Sequence, residues 1–114
     1  MDNLLISLLV LMLFDFITGI GKSIIGKSEK SQKGYLNSSV MWRGGLKKIL
    51  TLIIVAVATV LNILMIPETA LIRNMTVTYY ISVEALSVIE NATYCGLPIP
   101  KKLVEILATL KNKN

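Results

Sequence analysis

Ile49-Leu50-Thr51-Leu52-Ile53-Ile54-Val55-Ala56-Val57-Ala58-Thr59-Val60-Leu61-Asn62-Ile63-Leu64-Met65-Ile66 is a run of 18 residues without a charged side chain, closed by Pro67. At about 1.5 Å per residue, a helix over this run is roughly 27 Å long, close to the hydrocarbon thickness of a bilayer. The run therefore predicts a membrane crossing over residues 49–66. Two further apolar segments flank it. The first extends from Leu4 to Ile25 and opens with Leu4-Leu5-Ile6-Ser7-Leu8-Leu9-Val10-Leu11-Met12-Leu13-Phe14 before Asp15 interrupts it. Met1-Asp2-Asn3 lacks the basic start of a signal peptide, and Gly19-Ile20-Gly21 is a weak cleavage match, so this segment is expected to be retained as a helix. The other, Met75 to Tyr94, is 20 residues long and carries Glu84 and Glu90, which dilute its apolar signal.

The distribution of cations settles how many segments cross. Lys22, Lys27, Lys30, Lys33, Arg43, Lys47 and Lys48 lie between or beside the first two segments, and Lys101, Lys102, Lys111 and Lys113 lie in the tail. The connection from Pro67 to Asn74 holds Arg73 alone. With three crossings, eleven of the 12 cations share one side, which the positive-inside rule makes cytoplasmic. With two, the basic tail would face outward. The expected architecture is an all-α membrane protein with three transmembrane helices, its N-terminus outside and its C-terminus cytoplasmic. It forms a single membrane domain over residues 1–114, with spans at about 4–25, 49–66 and 75–94, a cytoplasmic loop at 26–48 and a cytoplasmic tail at 95–114.

Composition supports the class and removes many activities. Of 114 residues, 54 % are AVILMFWYC, and with 7 glycines the apolar share is about 60 %, above the roughly 45–50 % of soluble chains. There is no histidine, and Cys95 is the lone cysteine, so His-assisted nucleophiles, His-ligated metals and CxxC redox chemistry are absent. The chain is expected to be no enzyme and to hold no metal or cofactor. A net charge of +5 could suit nucleic acid, but the cations sit beside apolar runs, where topology signals lie, so no nucleic-acid partner is expected.

Local signals divide the polar parts. Lys27-Ser28-Glu29-Lys30-Ser31-Gln32-Lys33-Gly34 has the composition of a mobile linker, and Gly44-Gly45 ahead of Leu46-Lys47-Lys48 suggests a hinge where the second helix starts, with lysines as interfacial anchors. Gly96-Leu97-Pro98-Ile99-Pro100 should stop the third helix. Beyond it, Leu103, Leu107 and Leu110 fall opposite Lys101, Lys102 and Glu105, which predicts a short amphipathic C-terminal helix, either lying on the inner leaflet or solvated.

At 100° per residue, Asp15, Thr18, Gly19, Lys22 and Gly26 share an arc of roughly 100° on the first segment. Thr76, Tyr80, Glu84, Ser87, Asn91 and Tyr94 share roughly 80° on the third. Segment two has a weaker stripe in Thr51, Ala58 and Asn62. An ionised carboxylate near mid-bilayer is costly, so Asp15 and Glu84 should face protein or water. Three states remain open for them: a protonated carboxyl bonded between helices, an ion pair such as Asp15 with Lys22 or Glu84 with a lysine, or the wall of a water-filled opening. Gly19 also suits close helix packing, and Lys22 suits snorkelling to headgroups. Three helices of one chain enclose no wide lumen, so any large pore requires a homo-oligomer of many copies.

Four motifs resemble one family, the phage holins of the toxin-secretion and phage-lysis group. They are Asp15-Phe16-Ile17-Thr18-Gly19 with Lys22; Ser39 with Gly44-Gly45-Leu46-Lys47-Lys48; Tyr80-Ile81-Ser82-Val83-Glu84-Ala85-Leu86-Ser87-Val88-Ile89-Glu90-Asn91; and Gly96-Leu97-Pro98-Ile99-Pro100. Together they cover nearly the whole chain. The resemblance implies that copies accumulate in the bacterial cytoplasmic membrane and assemble into large lesions through which endolysin, or a toxin, passes as cargo. It implies family positions at Asp15, Glu84, Glu90 and Asn91. The helix-interface or pore-lining set is then Asp15, Thr18, Gly19, Lys22, Tyr80, Glu84, Ser87, Glu90 and Asn91. The chain departs from the family pattern at Asn62, where an acidic residue is often found. The competing readings are a small ion or proton channel or transporter subunit using Glu84 and Asp15, and a plain membrane anchor.

Overall fold

The computed structural model describes residues 2–30 and 38–113, and every element in them is helical. Helix α1 is Asn3–Lys30, α2 is Ser38–Met65, α3 is Leu71–Tyr94 and α4 is Lys101–Lys113. The stretches Asn3–Ile25 and Met41–Met65 are each long and apolar enough to cross a membrane. The expected spans at 4–25 and 75–94 fall inside α1 and α3, and that at 49–66 runs one residue past the end of α2, while each helix begins before its span. Apolarity marks where a helix meets hydrocarbon, whereas its hydrogen bonds continue into polar sequence. Much of the expected 26–48 loop is accordingly helical, and residues 31–37 of it lie outside the described residues. The expected hinge at Gly44-Gly45 is also corrected. Both glycines sit inside α2, and a Cβ on either would meet no neighbouring atom within 4 Å.

The least apolar of the three long helices is the central one. Helix α3 lies against α1, α2 and α4, while α1 and α2 touch each other sparingly. Helices α1 and α3 run parallel, since Arg73 at the start of α3 meets Asp2 and Asn91 near its end meets Asp15 and Thr18. Helix α2 runs antiparallel to both. Between the polar ends lies an apolar layer, with Leu8 and Met12 of α1, Val55 of α2 and Val77 of α3 buried, and Leu4, Tyr80 and Ile81 packed around them. The bundle's outside is the reverse of a soluble protein's: Leu13, Phe14 and Ile17 on α1 and Ile49, Ile53, Val60, Ile63 and Leu64 on α2 are exposed.

Side chains finish the helix ends. Asp2 caps α1 by accepting the Leu5 N–H at 2.9 Å and also pairs with Arg73. Asn62, buried in α2, caps α3 from a distance: its Oδ1 accepts the N–H groups of Ile72 (2.8 Å) and Arg73 (3.2 Å). Its Nδ2 donates to the carbonyls of Ile66 and Thr69 across the intervening turn. Ala70 at the N-cap position has no side chain able to do this. At the other end of α3, Gly96 adopts φ +98°. Its N–H bonds the Thr93 carbonyl at 2.9 Å and the Leu97 N–H bonds the Ala92 carbonyl at 3.0 Å, the paired reversal that ends a helix with a left-handed glycine. The expected stop at Gly96–Pro100 is therefore where the chain turns. Helix α4 then packs on α3, with Leu107 half-buried and Leu103, Val104 and Ile106 exposed.

Candidate functional site

The polar stripes of α1 and α3 meet each other. On α3, Asn91 Nδ2 donates to Asp15 Oδ1 at 3.1 Å, to the Asp15 carbonyl at 3.4 Å and to Thr18 Oγ1 at 3.1 Å. Thr18 in turn donates back to the Phe14 carbonyl at 2.8 Å, as hydroxyls in helices do when they lack water. The second oxygen of Asp15 accepts from Lys48 of α2 at 2.8 Å, and the same Lys48 Nζ donates to Glu84 Oε1 of α3 at 3.2 Å. One ammonium thus bridges carboxylates from two other helices, and three helices meet at one set of charges.

This cluster is largely screened from the surroundings. Glu84 is buried, and the Asp15 and Lys48 side chains are 16 % and 23 % exposed. Among the described residues no buried side-chain nitrogen or oxygen lacks a hydrogen-bond partner. That matters because an unpaired charge in a low-dielectric interior costs several kcal/mol, by order of magnitude, whereas a well-bonded pair recovers much of that penalty. Beside the cluster, between α1 and α2, lies a recess of about 200 Å³ whose wall includes Asp15, Lys48, Asn91, Gly19, Ser23 and Met41. Among the described residues no group of three or more His, Cys, Asp or Glu gathers that could hold a metal ion.

The other sequence-derived residues fall around the cluster. A Cβ on Gly19 would lie 3.8 Å from Asn91 Nδ2, an ordinary contact, so the glycine borders the α1–α3 seam without being sterically required there. Lys22 is exposed, with its Nζ 5.3 Å from the Tyr94 ring centroid. This is cation–π geometry and not a partnership with Asp15. Tyr80 joins the apolar layer and meets Tyr79 edge-on at 5.2 Å between centroids. Ser87 is half-buried, and Glu90 is exposed and outside the cluster.

Sequence reasoning missed Lys48, which it placed among the interfacial anchors. The signal was present in the stripe of α2: at 100° per residue Lys48 lies on the same face as Thr51, Val55, Ala58 and Asn62. That face is the one turned inward, since Val55, Ala58 and Asn62 are all buried. An ion pair was one of the states open to the two acids, and Lys48 begins the inward-facing stripe of α2. Ser82, fully buried on α3 and bonded to the Tyr79 carbonyl at 2.7 Å, was likewise outside the expected stripe.

At the far end of the bundle, the Leu5 N–H and then the Arg73 guanidinium hold the Asp2 carboxyl below its ordinary value, since both stabilise its ionised form.

A family model described as the bacteriophage holin family matches residues 1–112. The chain is 30 % identical to a probable holin of Bacillus phage phi105, over 94 % of this chain and 73 % of that protein. It is 28 % identical to the holin-like protein TcdE of Clostridioides difficile, over 96 % of this chain and 72 % of TcdE. An uncharacterized 14.9 kDa protein of the nagH 3′ region in Clostridium perfringens is 37 % identical over 98 % of this chain and 80 % of its own length. No solved structure matches the chain.

Proposed function

Because the chain belongs to the bacteriophage holin family, whose members are non-enzymatic membrane proteins, we propose that many copies of it assemble in the bacterial cytoplasmic membrane into lesions that pass a folded endolysin or toxin. The observation that carries this reading is the family match, which spans residues 1–112 and so includes every helix contributing to the charged cluster. Each copy crosses three times, with the N-terminus outside and the C-terminus in the cytoplasm. Helix α3 is the third crossing. At 24 residues it is roughly 36 Å long, enough for a bilayer, and its Glu84 is paired within the bundle instead of facing hydrocarbon. Its parallel course beside α1 gives both helices the same direction across the membrane, as three crossings require.

Among the described residues, an apolar layer interrupts the polar groups within one chain. The polar groups at Asn62 and Arg73 are separated from the Asp15–Lys48–Glu84 cluster by the layer of Leu8, Met12, Val55 and Val77. Arg73 to Glu84 is about 16 Å along α3. This weighs against a narrow proton or cation pathway within one copy and favours a lumen made between copies. The test is co-expression with an endolysin that lacks its own export signal, in a bacterium carrying neither gene. Abrupt lysis with both proteins and none with either alone is the expected result. Survival of cells holding both, with this chain in the membrane, would overturn the proposal.

A further inference from the structure

Helix α2 is held differently at its two ends. Near its C-terminal end Asn62 makes four hydrogen bonds to the turn and to the start of α3. About 21 Å away along the helix, Lys48 donates to Asp15 and Glu84. Among the described residues, Lys48–Asp15 is the only polar side-chain link between α1 and α2. Open recesses lie between those helices on both sides of it. One of about 200 Å³ is walled by Ser23, Met41 and Gly44, and one of about 530 Å³ by Leu5, Leu52 and Arg73. Helices α1 and α3, by contrast, are joined independently of Lys48, through Asn91 with Asp15 and Thr18 and through Arg73 with Asp2.

We infer that Lys48 is a latch: releasing it from Asp15 and Glu84 lets α2 pivot about its Asn62 end, away from an α1–α3 pair that stays together, and uncovers the charges of Lys48, Asp15 and Glu84 to the lesion. This rests on the holin reading for its consequence, though not for its geometry. Pivoting leaves an ammonium and two carboxylates without partners, which hydrocarbon resists and water accepts. The open form is therefore favoured only where neighbouring copies enclose water or supply the opposite charge. Opening and assembly become one cooperative step, and the closed chain is a resting form that hides its polar face.

The test uses Lys48→Met, the milder Asp15→Asn, and Lys48→Arg, which keeps a cation able to donate to both carboxylates, all compared at equal amounts in the membrane. The onset of reporter release in cells is read beside cross-linking of Ser23→Cys to Met41→Cys, in a Cys95→Ser background, by a short bis-maleimide. Either Lys48→Met or Asp15→Asn is expected to bring onset forward at least twofold and to cut intrachain cross-linking by half or more, and Lys48→Arg to stay near the parent in both. Unchanged onset and cross-linking in Lys48→Met or Asp15→Asn present in the membrane, or Lys48→Arg no closer to the parent than Lys48→Met, would overturn the latch. If the parent releases no protein, the holin reading fails, while the cross-linking arm still decides whether Lys48 holds α2 in place.

Discussion

Asn62 shows how one side chain can replace what the local sequence lacks. Its oxygen serves the first N–H groups of α3 where Ala70 cannot, and its nitrogen ties down the turn. An acidic residue at the same place would accept the same N–H bonds at a helix N-terminus but could not donate to the turn as the Asn62 amide does. Asn62→Ala should lower stability by about 1–3 kcal/mol, because it leaves Ile72, Arg73 and the Thr69 carbonyl without this partner. A thermal midpoint in detergent equal to the parent's would contradict that. Asp2 adds a pH dependence. Its folded carboxyl titrates below the ordinary value, so its contribution is present above the ordinary carboxylate range and is lost as pH falls through the lowered one. The protection of the Leu5 and Ile6 amides against exchange, relative to their intrinsic rates, should fall on acidification, and Asp2→Asn should abolish that fall. The same fall in both proteins would show that Asp2 is not its source.

At the level of elements, the three long helices were legible from the lengths of their largely apolar runs. Their ends were not, because a helix in water needs no apolar residue to continue. The Gly44-Gly45 pair illustrates the error: glycine permits a hinge but does not require one. With open space around the position where its Cβ would be, Gly45→Ala should raise stability by about 0.5–1 kcal/mol through helix propensity alone, seen as a higher unfolding midpoint. A lower midpoint would mean that the flexibility of α2 at this position contributes to the folded state. The break after α3 was legible, because Gly96 and two prolines can be read locally. Helix α4 was legible in its period, while its contact with α3 depends on a turn geometry that no periodicity encodes.

Across the whole molecule, the candidate site was half visible. Helical arcs gave Asp15, Thr18, Glu84 and Asn91 their common faces, and the structure joins these four through direct bonds and Lys48. Arcs on separate helices do not say which faces meet or at what height. Asp15 is for that reason paired with Lys48 and not with Lys22, and Glu90 stands apart although it neighbours Asn91 in sequence. The account joins an apolar exterior, a charged interior satisfied within one chain, and membership of the holin family in one claim: closed copies assemble into openings wide enough for protein. The most direct measurement follows membrane potential and a folded cytoplasmic reporter together, during inducible expression in a bacterium without an endolysin gene. Endolysin is added gently from outside under osmotic support. The account predicts abrupt depolarisation, with the reporter released as soon as the wall is opened. Gradual depolarisation with the reporter retained after the wall is opened would contradict it and point to a pathway for ions alone.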